Sequence, residues 1–237
     1  MKQIRIRLSN EQITIPVNYR QTLQGLIYRL MSSDREYASE MHDEGITENG
    51  YKLFTFSGLY GKSTYADRKL TFTGDMEFEV RSVDDHLIDA MISTIERKPY
   101  LLLGNEIMPV HSTTVSAKKI HAARLLIRSD TGITVHSTEG KKTVYYAPDE
   151  EEFELMVLRN ACVKYMEWNR TETVPVLGFH PVYVVERDKV VATFKGTHIT
   201  AWRGDYELEG SADVLNFLYY CGLGDRNSQG FGMFSLK

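Results

Sequence analysis

The amino-acid sequence predicts an α+β protein made of two tandem ferredoxin-like (RRM-like) domains, residues 1–118 and residues 119–237. Each half of the chain carries strand-like and helix-like patterns that can be read in the order β-α-β-β-α-β, which is the ferredoxin-like order. The length of 237 residues suffices for two domains of roughly 100–120 residues each. A content of 42% hydrophobic and 25% charged residues is that of a globular protein.

In the first half, hydrophobic periodicity defines the elements. Alternating apolar and polar residues over 2–8 predict a half-buried strand, and an i, i+3, i+4 pattern from Leu23 to Met31 predicts an amphipathic helix. Ser33, with Glu36 three residues later, has the spacing of a capping box and predicts a short second helix. The remaining predicted elements are strands over 51–57, 70–81, 100–103 and 107–115 and a helix over 84–96.

The second half is predicted in the same way, with an acidic start from Asp149 that favours a helix over 149–166. Residues 181–186 and 189–195 have the pattern of a hairpin that turns at Arg187-Asp188. The other predicted elements are strands over 123–128, 132–136, 197–203 and 231–236 and a helix over 211–221.

Charge and composition argue against a membrane or secreted protein, but they neither predict nor exclude a nucleic-acid binder. The chain has 28 basic and 32 acidic residues, so it lacks the basic balance typical of nucleic-acid binders, and any basic surface must be formed locally by folding. No apolar run reaches the roughly 20 residues of a membrane span, and the first residues alternate like a strand rather than a signal peptide. Two cysteines without a Cys-x-x-Cys motif complete the expectation of a soluble, reduced, cytoplasmic protein without a membrane partner.

The strongest local signal is the glycine-rich segment, residues 222–232, which carries Gly222, Gly224, Gly230 and Gly232. It follows a predicted helix and precedes a strand, which is the reverse of the order in nucleotide-binding loops, so ATP and dinucleotide sites are not expected. The segment also carries possible donors to phosphates or base edges in Arg226, Asn227 and Ser228. A helix C-cap followed by a tight turn explains the same glycines equally well.

This segment resembles the C-terminal glycine signature of the CRISPR repeat-RNA-processing endoribonucleases, the sixth Cas family of the RAMP superfamily. The stretches from Leu23 to Tyr28 and from Met41 to Ser57 are similar to the same family in order and spacing. The resemblance implies cleavage of CRISPR repeat RNA without metal or other cofactor, by attack of the 2′-hydroxyl, to a 2′,3′-cyclic phosphate and a 5′-hydroxyl. It implies that Tyr28, His42 and Lys52 are catalytic. The glycine-rich segment is expected either to face RNA or to pack the two domains together.

The residue types suit that chemistry, although each has a simpler explanation as a boundary or solvated side chain. Histidine has a pKa suited to either proton transfer, so His42 can act as acid or base, and Lys52 can stabilise the extra charge on phosphorus. Tyr28 lies at the margin of the predicted buried face of its helix, where a ring packs and its hydroxyl reaches solvent. Whether Tyr28 or His42 is the base stays open.

A second candidate RNA-binding surface runs from Lys195 to Arg203 and mixes basic residues with Trp202. The alternative is an amphipathic strand with one buried tryptophan. The lysine pairs Lys118-Lys119 and Lys141-Lys142 are weaker candidates for phosphate contacts.

The expected partners are repeat RNA and other Cas proteins, and the expected oligomeric states are a monomer or a homodimer. The main alternative function is a non-catalytic repeat-RNA-binding subunit of an RNA-guided interference complex, which has no need of His42. A general RRM-type binder is disfavoured because the aromatic RRM signature does not occur.

Overall fold

The computed structural model describes residues 1–140 and 142–237. In the first half, the strands are β1 Lys2–Leu8, β2 Gln12–Pro16, β3 Phe54–Phe56, β4 Tyr60–Ala66, β5 Lys69–Ser82, β6 Tyr100–Leu103 and β7 Glu106–Ser116, and the helices are α1 Arg20–Leu30, α2 Arg35–Asp43 and α3 Asp85–Arg97. In the second half, the strands are β8 Arg124–Ile133, β9 His136–Glu139, β10 Lys142–Tyr145, β11 Leu177–Tyr183, β12 Lys189–Phe194, β13 Thr197–Gly210 and β14 Phe234–Leu236, and the helices are α4 Glu151–Asn169 and α5 Ala212–Cys221.

Each half forms a main antiparallel sheet with the same topology, and β9 and β10 of the second half form a separate two-stranded sheet. In the first sheet β3, β5, β1 and β7 lie side by side in that order, and β2, β4 and β6 extend it. In the second sheet the order is β11, β13, β8 and β14, with β12 paired to β13. In both, the first strand is central and each helical connection joins two strands that are separated by one strand of the sheet, so the predicted fold class of two ferredoxin-like units is confirmed.

Two hydrophobic cores stabilise the two units. In β1, buried Ile4, Ile6 and Leu8 alternate with exposed arginines, and they pack against the apolar faces of α1 and α3. The second core centres on the stacked rings of Phe179 and Tyr206, whose centroids are 5.1 Å apart. A fully buried aliphatic or aromatic side chain contributes about 1.5–3 kcal/mol, so these faces account for much of the stability of each unit.

The two units are joined by a polar and aromatic interface. Arg81 of β5 donates from Nη1 to the backbone oxygen of Phe234 at 2.6 Å, and its guanidinium lies 3.9 Å from the centre of the Tyr219 ring. The Thr55 hydroxyl donates to the backbone oxygen of Phe231 at 3.1 Å. The interface therefore fixes β14, and the glycine-rich segment before it, against the first unit.

The structure differs from the sequence-based predictions in several elements. The strands β2, β4, β9 and β10 were not predicted, and residues 123–136 contain one continuous strand, β8, where two short ones were expected. The predicted hairpin at Arg187-Asp188 is wrong, because β12 pairs with β13 through a turn at Lys195-Gly196 and β11 pairs with the far part of β13.

The predicted cap of α2 is also wrong by one residue. The N-cap is Asp34, whose side chain accepts from the Tyr37 amide at 3.1 Å, while the Ser33 hydroxyl donates to the backbone oxygen of Ala90. An aspartate at this position satisfies one of the free amides of the first turn as well as a serine does.

No helix within the described residues combines the length and the apolar character needed to cross a membrane.

Candidate active site

Tyr28 lies in the last turns of α1 with its ring half-buried against Phe54, at a centroid distance of 6.1 Å. Burial, with a smaller contribution from the Asp43 carboxylate, raises the pKa of the Tyr28 hydroxyl well above its ordinary value of 10. The side chain is therefore neutral near pH 7 and acts as a hydrogen-bond donor or acceptor rather than as a phenolate.

His42 occupies the last turn of α2 and presents an exposed ring to the edge of Tyr28, at a centroid distance of 5.0 Å. Its Nδ1 lies 2.7 Å from a carboxylate oxygen of Asp43. Asp43 therefore engages one ring nitrogen, which leaves Nε2 for a substrate.

Lys52 lies just before β3, and its ammonium donates to the backbone oxygens of Met41 and His42 at the end of α2. The last carbonyls of a helix lack partners within the helix, so a lysine that binds them fixes the helix end. The same ammonium is 5.8 Å from the centre of the Tyr28 ring. Partial burial lowers the pKa of Lys52, although the Asp43 carboxylate opposes that shift.

These three side chains meet at a cleft of 340 Å³ between the two units. The cleft is lined by Gln24, Tyr28, His42, Lys52, Phe194, Lys195, Thr197, Arg226, Ser228 and Gln229. Three of its side chains are basic, so the local positive surface that composition could not predict is formed by folding. The cleft thus brings together the predicted catalytic residues Tyr28, His42 and Lys52. It also contains Arg226 and Ser228, two predicted RNA-binding residues of the glycine-rich segment.

The four glycines of the segment are buried and pack against other backbone and ring atoms, as a C-cap and tight turn would. Gly222 ends α5 at φ +86°, and a β-carbon at Gly230, with φ +85°, would lie 2.6 Å from the Phe56 ring. Arg20 donates to the backbone oxygen of Gly230. These glycines allow the close approach of two backbones, and three of the side chains between them, Arg226, Ser228 and Gln229, line the cleft.

Asn227 differs from its neighbours Arg226 and Ser228 because it does not line the cleft. Its Nδ2 donates to the backbone oxygens of Leu223 at 2.9 Å and Phe231 at 3.1 Å. The geometry favours a structural role for this side chain, and the RNA contact predicted for it stays a prediction.

The second predicted surface is divided by the fold. Lys195 lines the cleft, whereas Arg203 is exposed on β13 and does not line it. Trp202 is only 7% exposed, as the alternative of an amphipathic strand with one buried tryptophan predicts, and the RNA contacts of Lys195 and Arg203 stay predictions. Lys118, Lys119 and Lys142 are exposed and do not line the cleft, and Lys141 lies outside the described residues.

Sequence reasoning missed Gln24, which lies four residues before Tyr28 and therefore on the same face of α1. Its side-chain amide donates to the backbone oxygen of Ser228 at 2.7 Å and so ties α1 to the glycine-rich segment. The i, i+4 spacing from Tyr28 is the signal that could have found it. Among the described residues, no group of three or more His, Cys, Asp or Glu side chains is arranged to hold a metal ion.

Two family models together match most of the chain. The model described as "CRISPR-associated protein Cas6, N-terminal" matches residues 14–114, and "CRISPR associated protein Cas6, C-terminal" matches residues 115–236. The chain is 26% identical over 229 residues to the CRISPR-associated endoribonuclease Cas6 of Pyrococcus furiosus, covering 94% of this chain and 84% of that protein. It is 24% identical over 242 residues to the CRISPR-associated endoribonuclease Cas6 1 of Methanocaldococcus jannaschii, covering 98% and 91%.

Solved structures share the whole fold. A Cas6-related protein from Pyrococcus furiosus superposes with a TM-score of 0.84 at 19% identity, covering 99% of this chain and 98% of that one. A structure described as a RAMP protein binding different RNA substrates gives a TM-score of 0.82 at 18% identity, with both chains fully covered.

Proposed function

Because the chain belongs to the Cas6 family of CRISPR-associated proteins, we propose that it is an endoribonuclease that cleaves CRISPR repeat RNA in the cleft between its two units. The observation that carries the proposal is that Tyr28, His42 and Lys52 lie together in the cleft. Lys195 and Arg226 of the second unit, which we call the basic wall, line the same cleft. The relatives are named endoribonucleases, and the cleft supplies the residue types that RNA cleavage needs.

The proposed reaction is a transesterification that needs no external nucleophile. The 2′-oxygen of the nucleotide before the scissile bond attacks phosphorus, the P–O5′ bond breaks, and the products are a 2′,3′-cyclic phosphate and a 5′-hydroxyl. One proton leaves the 2′-hydroxyl and one is delivered to O5′, so the protein must supply a base, an acid and a stabilising cation.

The site offers a candidate for each of these tasks. His42 has a free Nε2 for proton transfer, with Nδ1 engaged by Asp43. Lys52 is fixed by the end of α2 and provides positive charge for the phosphorane. Since burial raises the pKa of Tyr28, its hydroxyl stays protonated and is suited to donate to an oxygen of the substrate. On this proposal His42 is the better base and Tyr28 the better donor to the leaving oxygen.

A chelator experiment tests the proposal directly. Purified protein is incubated with a repeat RNA from its host in excess EDTA, and the fragments are sized and their end groups identified. We expect full cleavage and a 2′,3′-cyclic phosphate end, because His42, Lys52 and Tyr28 supply the acid, base and cation themselves. Loss of cleavage in EDTA, with recovery on adding Mg²⁺ or Mn²⁺, would contradict the metal-independent mechanism.

A further inference from the structure

Lys164 of α4 is a charged residue that the proposed mechanism does not use. Its side chain is buried, with 2% relative exposure. Its ammonium donates to three acceptors, all in the glycine-rich segment: the backbone oxygen of Gly222 at 3.0 Å, that of Gly224 at 3.1 Å and Oδ1 of Asn227 at 2.8 Å. A lysine ammonium has three donors, so each of them is used.

A buried ammonium is costly, and its three partners here are neutral. Burial lowers the pKa of Lys164, although Cys221 and the Asp225 carboxylate oppose that shift. Lysine is among the residues least often fully buried, and an apolar side chain would fill the position without the loss of hydration. Core packing alone therefore does not explain a lysine at this position.

The acceptors of Lys164 lie on both sides of Arg226, a residue that lines the cleft. Gly224 is two residues before Arg226 and Asn227 is the next residue after it. Arg226 itself has a left-handed backbone with φ +58°, which a non-glycine residue keeps only where its neighbours hold it. The Asp225 amide adds a further anchor, since it donates to the backbone oxygen of Thr134 at 2.7 Å.

Lys164 lies behind the wall of the cleft rather than in it. A smaller hollow of 130 Å³ adjoins the cleft, and Lys52, Arg226 and Ser228 line both cavities, whereas Lys164 lines only the hollow. The Lys164 ammonium is saturated by the glycine-rich segment, so it has no free donor for RNA.

We propose that Lys164 is a positioning residue for RNA cleavage, which holds the glycine-rich segment so that Arg226 meets an RNA phosphate beside the scissile bond. The proposal rests on the function proposed above. Removing the ammonium leaves three buried acceptors without their donor, and the segment then relaxes around Arg226. A misplacement of about 1 Å near a reacting group can cost about 100-fold in rate.

A double-mutant cycle tests this coupling. Lys164→Met, Arg226→Ala and the double variant are compared with the wild type in single-turnover cleavage of repeat RNA at saturating protein. We expect Lys164→Met to be slower by about 10- to 100-fold, consistent with a small misplacement of a reacting group. In the Arg226→Ala background the same change should have little further effect. If Lys164→Met slows cleavage by the same factor in the Arg226→Ala background as in the wild type, the proposal is overturned, because Lys164 would then act independently of Arg226.

The controls separate this proposal from the proposed function. Lys2→Met removes a partly exposed lysine that pairs with Asp89 and does not line the cleft, and it should cut at the wild-type rate. If Lys164→Met does not fold, as judged by circular dichroism, Asn227→Ala replaces it in the cycle, and the same criterion decides. A wild-type protein that does not cut repeat RNA would overturn the proposed function and this proposal with it. A wild type that cuts, with an additive cycle, would overturn this proposal alone.

Discussion

At the level of single residues, the proposed mechanism depends on His42, whose ring is contacted by Asp43 and Tyr28. An Asp43 carboxylate oxygen lies 2.7 Å from Nδ1 of His42, and the His42 and Tyr28 rings pack in a T-shaped arrangement. The His42 side chain is 60% exposed, so it contributes little to packing. A substitution here should therefore alter the chemistry without unfolding the protein.

We predict that His42→Ala slows single-turnover cleavage by roughly 10²- to 10⁴-fold, the usual contribution of general acid–base catalysis. Affinity for the repeat RNA should be nearly unchanged, because one side chain among many contacts carries little of the binding. His180→Ala is a matched control, since that ring is 56% exposed, pairs with Glu154 and lies outside the cleft. A near wild-type rate for His42→Ala would place the proton transfer elsewhere, with Tyr28 the next candidate.

At the scale of structural elements, the glycine-rich segment is held by close contacts that only glycine permits. Gly230 combines φ +85° with a β-carbon position 2.6 Å from the Phe56 ring, while Gly74 has a similar φ of +78° and open space around it. Alanine substitutions at Gly230 and Gly74 therefore separate two contributions to the loss of stability. One is the strained backbone conformation, which both share, and the other is the contact between the two units, which only Gly230 makes.

Gly230→Ala should lower the free energy of unfolding by more than Gly74→Ala does, in urea denaturation followed by circular dichroism. The backbone conformation alone costs about 1–2 kcal/mol for an alanine, and this is the loss expected at position 74. At position 230 the displaced Phe56 ring adds to it, so cleavage should fall as well. Equal losses for the two variants would show that the segment does not pack tightly against the first unit.

Elements with a long and regular buried face could be predicted from the sequence, whereas the short strand β2 and the fully exposed strand β4 could not. The helix α1 and the strand β1 each bury one face, so their periodicity is strong. All seven residues of β4 are exposed, so no apolar alternation marks it. Arg187-Asp188 resembles a hairpin turn, but the turn lies at Lys195-Gly196, where both residues have a positive φ.

The candidate site could be predicted only in part, because periodicity says nothing about contacts between residues that are far apart in the sequence. Periodicity placed Tyr28 at the edge of a buried face, and only the family resemblance linked it to His42 and Lys52. Lys164 gave no signal at all, because a lysine in a helix is usually solvated and its partners are about 60 residues further along the chain.

At the scale of the whole molecule, the two units act as one framework for the cleft. Arg81 and Thr55 of the first unit bind the backbone of the last strand and the segment before it. Gln24 and Arg20 of α1 bind the same segment. The catalytic candidates come from the first unit and the basic wall from the second, so neither unit forms the site alone.

We propose that this framework promotes attack by the RNA's own 2′-hydroxyl, and one substituted oligonucleotide distinguishes this nucleophile from water. A repeat RNA with a single 2′-deoxy nucleotide just before the scissile phosphate is compared with the unmodified RNA for binding and for cleavage. We expect binding to survive, since phosphate and base contacts elsewhere supply most of the affinity, and we expect cleavage at that bond to stop. Continued cutting of the 2′-deoxy RNA at the same bond would contradict the proposed mechanism, because it would mean that water rather than the 2′-hydroxyl is the nucleophile.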